Sequence, residues 1–143
     1  MIDEIVNEHL QRIVRYRNEL EIISGKTKSE FIQDHLLVAA TERLFQLAIE
    51  SCINLANRIL SLEQMKKPIN PPETYADIFR ELGKLDIVSS AFTEKLIRMT
   101  KFRNRLVHLY WEVDVEELYK YLKENLKDFQ TFIDYIVKYY NNN

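Results

Sequence analysis

Residues 36–62 read LLVAATERLFQLAIESCINLANRILSL. A helix drawn through this stretch is apolar on most sides, and such a helix belongs at the centre of a bundle. Upstream, Thr27-Lys28-Ser29-Glu30 has the spacing of a capping box, so one helix is expected from there to about Met65, bent near Asp34-His35. Gly25 is placed to end a first helix, Asp3–Ser24, in which Ile2, Ile5, Val6, Ile13, Leu20 and Ile23 recur at helical spacing. Downstream, Pro68, Pro71 and Pro72 break the chain. A short helix, Tyr75–Leu82, is expected to stop at Gly83, and a longer one to run from Ser89 or Ser90 to about His108. The last helix starts at Asp114, with Glu117 completing another capping box. Leu118, Leu122, Leu126, Phe129, Ile133, Ile136 and Tyr140 form its core-facing stripe, and Asn141-Asn142-Asn143 is expected to fray. These elements predict an all-α fold, an antiparallel bundle of four long helices and a short one in a single domain over residues 1–143.

Composition agrees. The 143 residues include only two glycines and three prolines, where an average chain of that length carries about 17. That scarcity leaves little room for the tight turns of a sandwich or barrel, and none for a Gly-rich phosphate loop. The single cysteine, Cys52, excludes an internal disulfide and reads as a small core residue rather than a nucleophile. The acidic start, Met1-Ile2-Asp3-Glu4, is unlike a signal peptide, and no run of about 18 apolar residues is present to span a membrane. A cytoplasmic protein with no membrane association is therefore expected. The net charge of −2 means that any nucleic acid must be met by a local patch.

The segment Phe92–His108 is the most informative for function. On a helical wheel Phe92, Leu96, Met99, Leu106 and Val107 share a face, and Arg103 stands in its middle. A guanidinium on an apolar stripe is costly unless paired or solvated. Either its stem packs while its head escapes to water, or it faces a cleft to meet an anion. Asn104 and His108 are four apart and share a face, where a hydrogen bond would orient the imidazole. Arg103 and His108 lie about 140° apart on an ideal helix, converging only if the helix ends or bends, or if a second subunit closes the site. Lys95, Arg98, Lys101 and Arg105 form a basic run on the exposed side, read either as a solvated face or as a guide for a phosphate backbone. On the preceding long helix, Glu42, Gln46, Glu50 and Asn54 recur every four residues. The simpler reading is a polar face along a buried helix; the alternative pairs Glu50, or a neighbour, with Arg103.

Residues 103–110, RNRLVHLY, resemble the Arg-x4-His-x-Tyr signature of the HEPN superfamily, in the branch of HepT-like toxins. The resemblance extends to residues 40–50, ATERLFQLAIE, similar to that family's second helix, and to residues 72–77, PETYAD, similar to its short linker helix. Phe102 and Trp111-Glu112-Val113 flank the signature as expected for the family. It covers roughly positions 1–140 and implies a helical bundle that forms a homodimer, with the signature lining a cleft at the two-fold. It also implies a metal-independent endoribonuclease toxin acting on RNA, with Arg103, Asn104 and His108 as catalytic residues and Glu50 and Arg105 as possible supports. The implied partner is a nucleotidyltransferase antitoxin, which silences the toxin by AMP transfer to the signature tyrosine, Tyr110.

The residue types suit that chemistry. RNA cleavage without a metal uses the 2′-hydroxyl as nucleophile and needs a base, an acid and positive charge on the phosphorane. An imidazole can serve as base or acid near neutrality, and a guanidinium can grip two phosphate oxygens at once. One His108 per chain leaves the second proton carrier unassigned; a two-fold dimer would offer another copy of it. Tyr110, just beyond a helix end, is expected to be exposed, and an AMP group there would add negative charge that repels RNA.

His9 and His35 have no partner at zinc-ligand spacing. Asp114-Val115-Glu116 sits at a helix start, where acids serve capping and the dipole, and no Gly-Ser turn precedes it as it would in the nucleotidyltransferase. No metal and no organic cofactor are expected. The alternative to a ribonuclease is a non-catalytic HEPN module that binds a nucleotide or a partner. A purely structural bundle would leave Arg103 without a reason.

Overall fold

The computed structural model describes residues 1–142. Among them are seven α-helices: α1 (Glu4–Ser24), α2 (Lys28–Gln33), α3 (His35–Gln64), α4 (Tyr75–Lys84), α5 (Ser90–His108), α6 (Val115–Glu124) and α7 (Leu126–Asn141), with a 3-10 turn, Tyr110–Glu112, between α5 and α6. The α3 helix is the axis, packed against α1, α2, α4 and α5. Phe45, Ala48, Ile49, Cys52, Leu55, Ala56, Ile59 and Leu60 are all buried along it. Burial also pushes the Cys52 thiol well above its ordinary range, as befits a core residue. The other helices close around α3, α1 also meeting α6 and α7, and α4 lying along α5.

The expected architecture is present, with two helices cut in two. The anticipated bend at Asp34-His35 is a full break. Asp34 is extended (φ −102°, ψ 92°), ends α2 and caps α3 by accepting from the Leu37 N–H at 3.0 Å. The capping box at Thr27 and Glu30 starts α2 as expected. The last helix is broken at Asn125, whose side-chain amide donates to Asp128 at 3.2 Å. The apolar stripe continues across the break, with Leu118, Leu122, Phe129, Ile133 and Ile136 buried.

Three boundaries differ from expectation. Gly83 does not end α4 but lies inside it. An added Cβ there would come within 2.5 Å of Thr93 Oγ1, so the glycine lets α4 and α5 approach closely. The chain turns after Leu85 through Asp86, whose φ of 58° lets the Ile87 N–H reach the Leu82 carbonyl at 3.2 Å. Glu117 completes no capping box: the Asp114 side chain accepts from the Glu116 N–H instead of that of Glu117, and the Glu117 carboxylate binds Arg105. At the C-terminus α7 holds through Asn141, and the Asn142 N–H donates to the Lys138 carbonyl; Asn143 lies outside the described residues.

An aromatic cluster positions the helix that carries the signature. Phe102 of α5 stacks on Tyr121 of α6 (centroids 4.0 Å apart, 17° between planes), and Phe45 of α3 meets both rings edge-on. These three rings fix the C-terminal half of α5 against α3 and α6.

Candidate functional site

Arg103 sits where the wheel puts it, with a side chain only 13% exposed. It is paired. Nε and Nη2 both donate to Glu50 Oε1, at 3.2 and 2.8 Å, and Gln46 Nε2 donates to the same oxygen at 3.1 Å. Nη1 donates to Asn104 Oδ1 at 3.2 Å. The guanidinium carbon lies 5.1 Å from the centre of the Tyr75 ring, which covers one face of the group. Three of the five guanidinium N–H groups are thereby used, which leaves one on each terminal nitrogen. That remaining pair is the fork that matches two oxygens of a phosphate. Of the two readings of the polar row on α3, the pairing of Glu50 with Arg103 is the one realised.

Asn104 thus spends its carbonyl on Arg103, and no hydrogen bond joins it to His108 among the described residues. His108 is the last residue of α5 and is exposed. The helix is unbroken from Arg103 to His108, yet both border one open groove of about 650 Å³. Its opposite wall is the start of α4 and the turn before it, with Pro72, Glu73 and Tyr75; Asn57 of α3 lines it as well.

Beyond His108 the Leu109 N–H closes the helix on the Arg105 carbonyl at 2.9 Å, and the chain enters the 3-10 turn. Tyr110 is 63% exposed and meets the ring of Trp111 edge-on at 5.4 Å. Arg105 braces this turn. Its guanidinium binds Glu117 through two contacts, of 2.6 and 2.8 Å, and donates to the Glu112 carbonyl at 3.3 Å. The Arg105 side chain holds the Glu117 carboxyl below the usual carboxylate range.

The basic run on α5 is thinner than its sequence suggests. Arg105 is engaged with Glu117, and Lys95 leans on the buried Asp128 carboxylate at 3.8 Å. Arg98 and Lys101 stay exposed. A second groove, at the far end of α3, carries Lys66, Lys67 and Lys138. It has no imidazole, and Lys66 and Lys67 lean on Glu63 at 3.8 and 4.0 Å. Among the described residues no three His, Cys, Asp or Glu side chains gather to hold a metal ion, and no helix is long and apolar enough to cross a membrane.

Sequence reasoning missed Tyr75 and Glu73 as members of the groove. They were legible only as part of a linker helix, and nothing in their spacing relates them to Arg103.

Residues 6–136 match the family model described as ribonuclease HepT-like. The chain belongs to this family. Among curated relatives, the mRNA nuclease HepT of Shewanella oneidensis is 29% identical over 136 residues, which cover 95% of this chain and 98% of that protein. The tRNA nuclease HepT of Aphanizomenon flos-aquae is 26% identical, over 94% of this chain and 89% of that one. Among solved structures, the tri-AMPylated HEPN toxin of Shewanella oneidensis in complex with its MNT antitoxin superposes with a TM-score of 0.86 at 26% identity, over 96% of this chain and 99% of that one. Membership in the family agrees with the all-helical fold and with the resemblance carried by residues 103–110.

Proposed function

We propose that this chain is a metal-independent endoribonuclease toxin that works as a homodimer and is neutralised by a nucleotidyltransferase antitoxin through AMP transfer to Tyr110. The observation that carries the reading is the shared groove: a paired and aimed Arg103 and a solvent-facing His108 border one opening, with Tyr110 exposed just beyond it. The family and the relatives named as RNA nucleases support it. So does the related toxin that is AMPylated in complex with an antitoxin.

In this reading the free fork of Arg103 takes two non-bridging oxygens of the scissile phosphate and stabilises the charge that grows on the phosphorane. Glu50, Gln46, Asn104 and Tyr75 keep the fork in aim, so little reorganisation is needed when RNA arrives. His108 carries one of the two proton transfers. An AMP group on Tyr110 would place a phosphate beside the mouth of the groove and repel the RNA backbone.

The test is cleavage of total RNA in EDTA by protein of confirmed unmodified mass, beside His108→Ala. Loss of cleavage in the variant, and 2′,3′-cyclic phosphate ends in the wild-type products, are expected. Silence of both proteins would turn the assignment to a HEPN module that binds a nucleotide or a partner without cutting.

A further inference from the structure

An RNA strand offers a groove two kinds of surface, a charged phosphate and the flat face of a base. This groove has a wall for each. On α5 stands the guanidinium of Arg103, with His108 further along the same helix. Pro72, Tyr75, Ile78 and Leu109 supply an apolar lining that a phosphate alone does not call for. Tyr75 is its aromatic member. Of the eight tyrosines only Tyr75 and Tyr110 are exposed. Others are used inside the fold, as where Tyr121 stacks on Phe102 and Tyr119 donates to the Lys26 carbonyl at 2.7 Å. Tyr75 leaves 42% of its surface in water. Among the described residues its hydroxyl has no hydrogen bond, and no other ring lies against it. Its partner is Arg103, whose guanidinium carbon is 5.1 Å from the ring centre. With that cation against one face, the opposite face is left to the groove. The ring is also held in advance of any ligand. Tyr75 is the first residue of α4, behind Pro71-Pro72 and the capping box of Thr74 and Asp77. Asn57 and Asn104 border the same groove, and their amide nitrogens have no partner among the described residues. They are donors for the edge of a base.

We propose that Tyr75 is a stacking platform for the base of a nucleotide that adjoins the scissile phosphate. The Arg103 fork holds the phosphate, and the neighbouring base lies on the free face of the Tyr75 ring, which is then sandwiched between guanidinium and base. The inference rests on the ribonuclease reading. It concerns how the substrate is held, and it leaves the acid–base work to His108 and to the copy of it that a two-fold partner brings. Aromatic side chains take up bases that are free of their own stack. Single-stranded RNA is therefore the substrate class, and a duplex, whose bases remain stacked on one another, is refused.

A ring that only covers Arg103 would slow every substrate alike when removed. A stacking ring would be missed only where there is a base to stack. The experiment measures kcat/KM in EDTA on a short single-stranded RNA cut at one mapped bond. The RNA is used intact, and with an abasic ribose that keeps its 2′-hydroxyl on the 5′ or the 3′ side of that bond. Wild type, Tyr75→Leu and Tyr75→Trp are compared. Each protein is read as the ratio of its rates on intact and abasic RNA, so the fraction that folds cancels. Wild type is expected to lose about 5- to 150-fold at one of the two positions, the range of a base–aromatic stack. Tyr75→Leu is expected to cleave intact RNA more slowly and to be indifferent to the base at that position. Tyr75→Trp, which keeps a stacking face, is expected to retain the dependence on the base. A Tyr75→Leu protein with the same abasic penalty as wild type overturns the proposal and leaves the ring as a cover for Arg103. So does a wild type indifferent to both abasic positions. A wild-type protein that cleaves no RNA overturns the ribonuclease reading itself, and this inference falls with it.

Discussion

Glu50 Oε1 receives both Nε and Nη2 of Arg103, across 53 positions of sequence, and so fixes a guanidinium that lies on an otherwise apolar helix face. Glu50→Ala would leave Arg103 only 13% exposed and without its acid. The expected cost is about 1–3 kcal/mol, less than for a fully buried pair because Glu50 is itself partly in water. Glu50→Gln keeps an acceptor and should lose less. Urea denaturation of both variants reads this directly; equal midpoints for Glu50→Ala and wild type would show that the pair contributes nothing to stability.

The tie between Arg105 and Glu117 predicts a pH effect of known sign. Arg105 lowers the Glu117 pKa in the folded state. The stability so contributed is therefore complete above the unfolded-chain value of about 4.3 and is lost as pH falls through the lower folded value. The gap in stability between wild type and Glu117→Gln should be full at pH 6 and should close as the pH is brought below 4. Both side chains are partly exposed, so the gap stays under about 1 kcal/mol. Arg105→Ala should also speed amide exchange through residues 110–113, the turn that carries Tyr110.

Gly83→Ala sets two effects against each other. Helix propensity favours alanine by about 1 kcal/mol. The new methyl group meets Thr93 Oγ1 at 2.5 Å, an overpacking that costs about 1–3 kcal/mol. Net destabilisation is expected, with most of it removed in the double variant Gly83→Ala/Thr93→Ala. Additive losses in the double variant would mean that the threonine is not the obstacle.

Tyr110→Phe removes the hydroxyl that would accept AMP. Incubated with the nucleotidyltransferase partner and ATP, the wild-type chain should gain mass in AMP steps and the variant should gain none. A variant modified to the same extent would place the acceptor elsewhere.

Much of the fold is legible in the sequence because its signals are periodic and local. The apolar surround of α3 and the stripe through Ile136 each name a buried face without reference to any other helix. The break at Asn125 escapes this logic: its backbone stays near helical values (φ −112°, ψ −3°), and the stripe runs through it without a change of period. Glu117 has the spacing of a capping box, but the Asp114 side chain takes the N–H of residue 116 instead, and the Glu117 carboxylate binds a guanidinium twelve residues upstream. The site divides in the same way. Arg103 stands out as misplaced on its own helix. Glu50 is one of four polar residues in a row, and a wheel cannot choose among partners on another helix. Glu73 and Tyr75 join the groove through the packing of α4 against α5, a contact between helices that no spacing within either one announces.

The carboxylate of Glu50 also alters how the groove looks from a distance. Beyond a Debye length of about 8 Å at physiological salt, Arg103 and Glu50 cancel, and the chain as a whole carries a net charge of −2. Few condensed counterions would be released when RNA binds, so affinity should fall only gently as salt is raised. The groove would be blind to polyanions in bulk and responsive to a phosphodiester already seated in the reach of the arginine fork. Selection would then rest on the shape of the RNA that can enter, not on its charge.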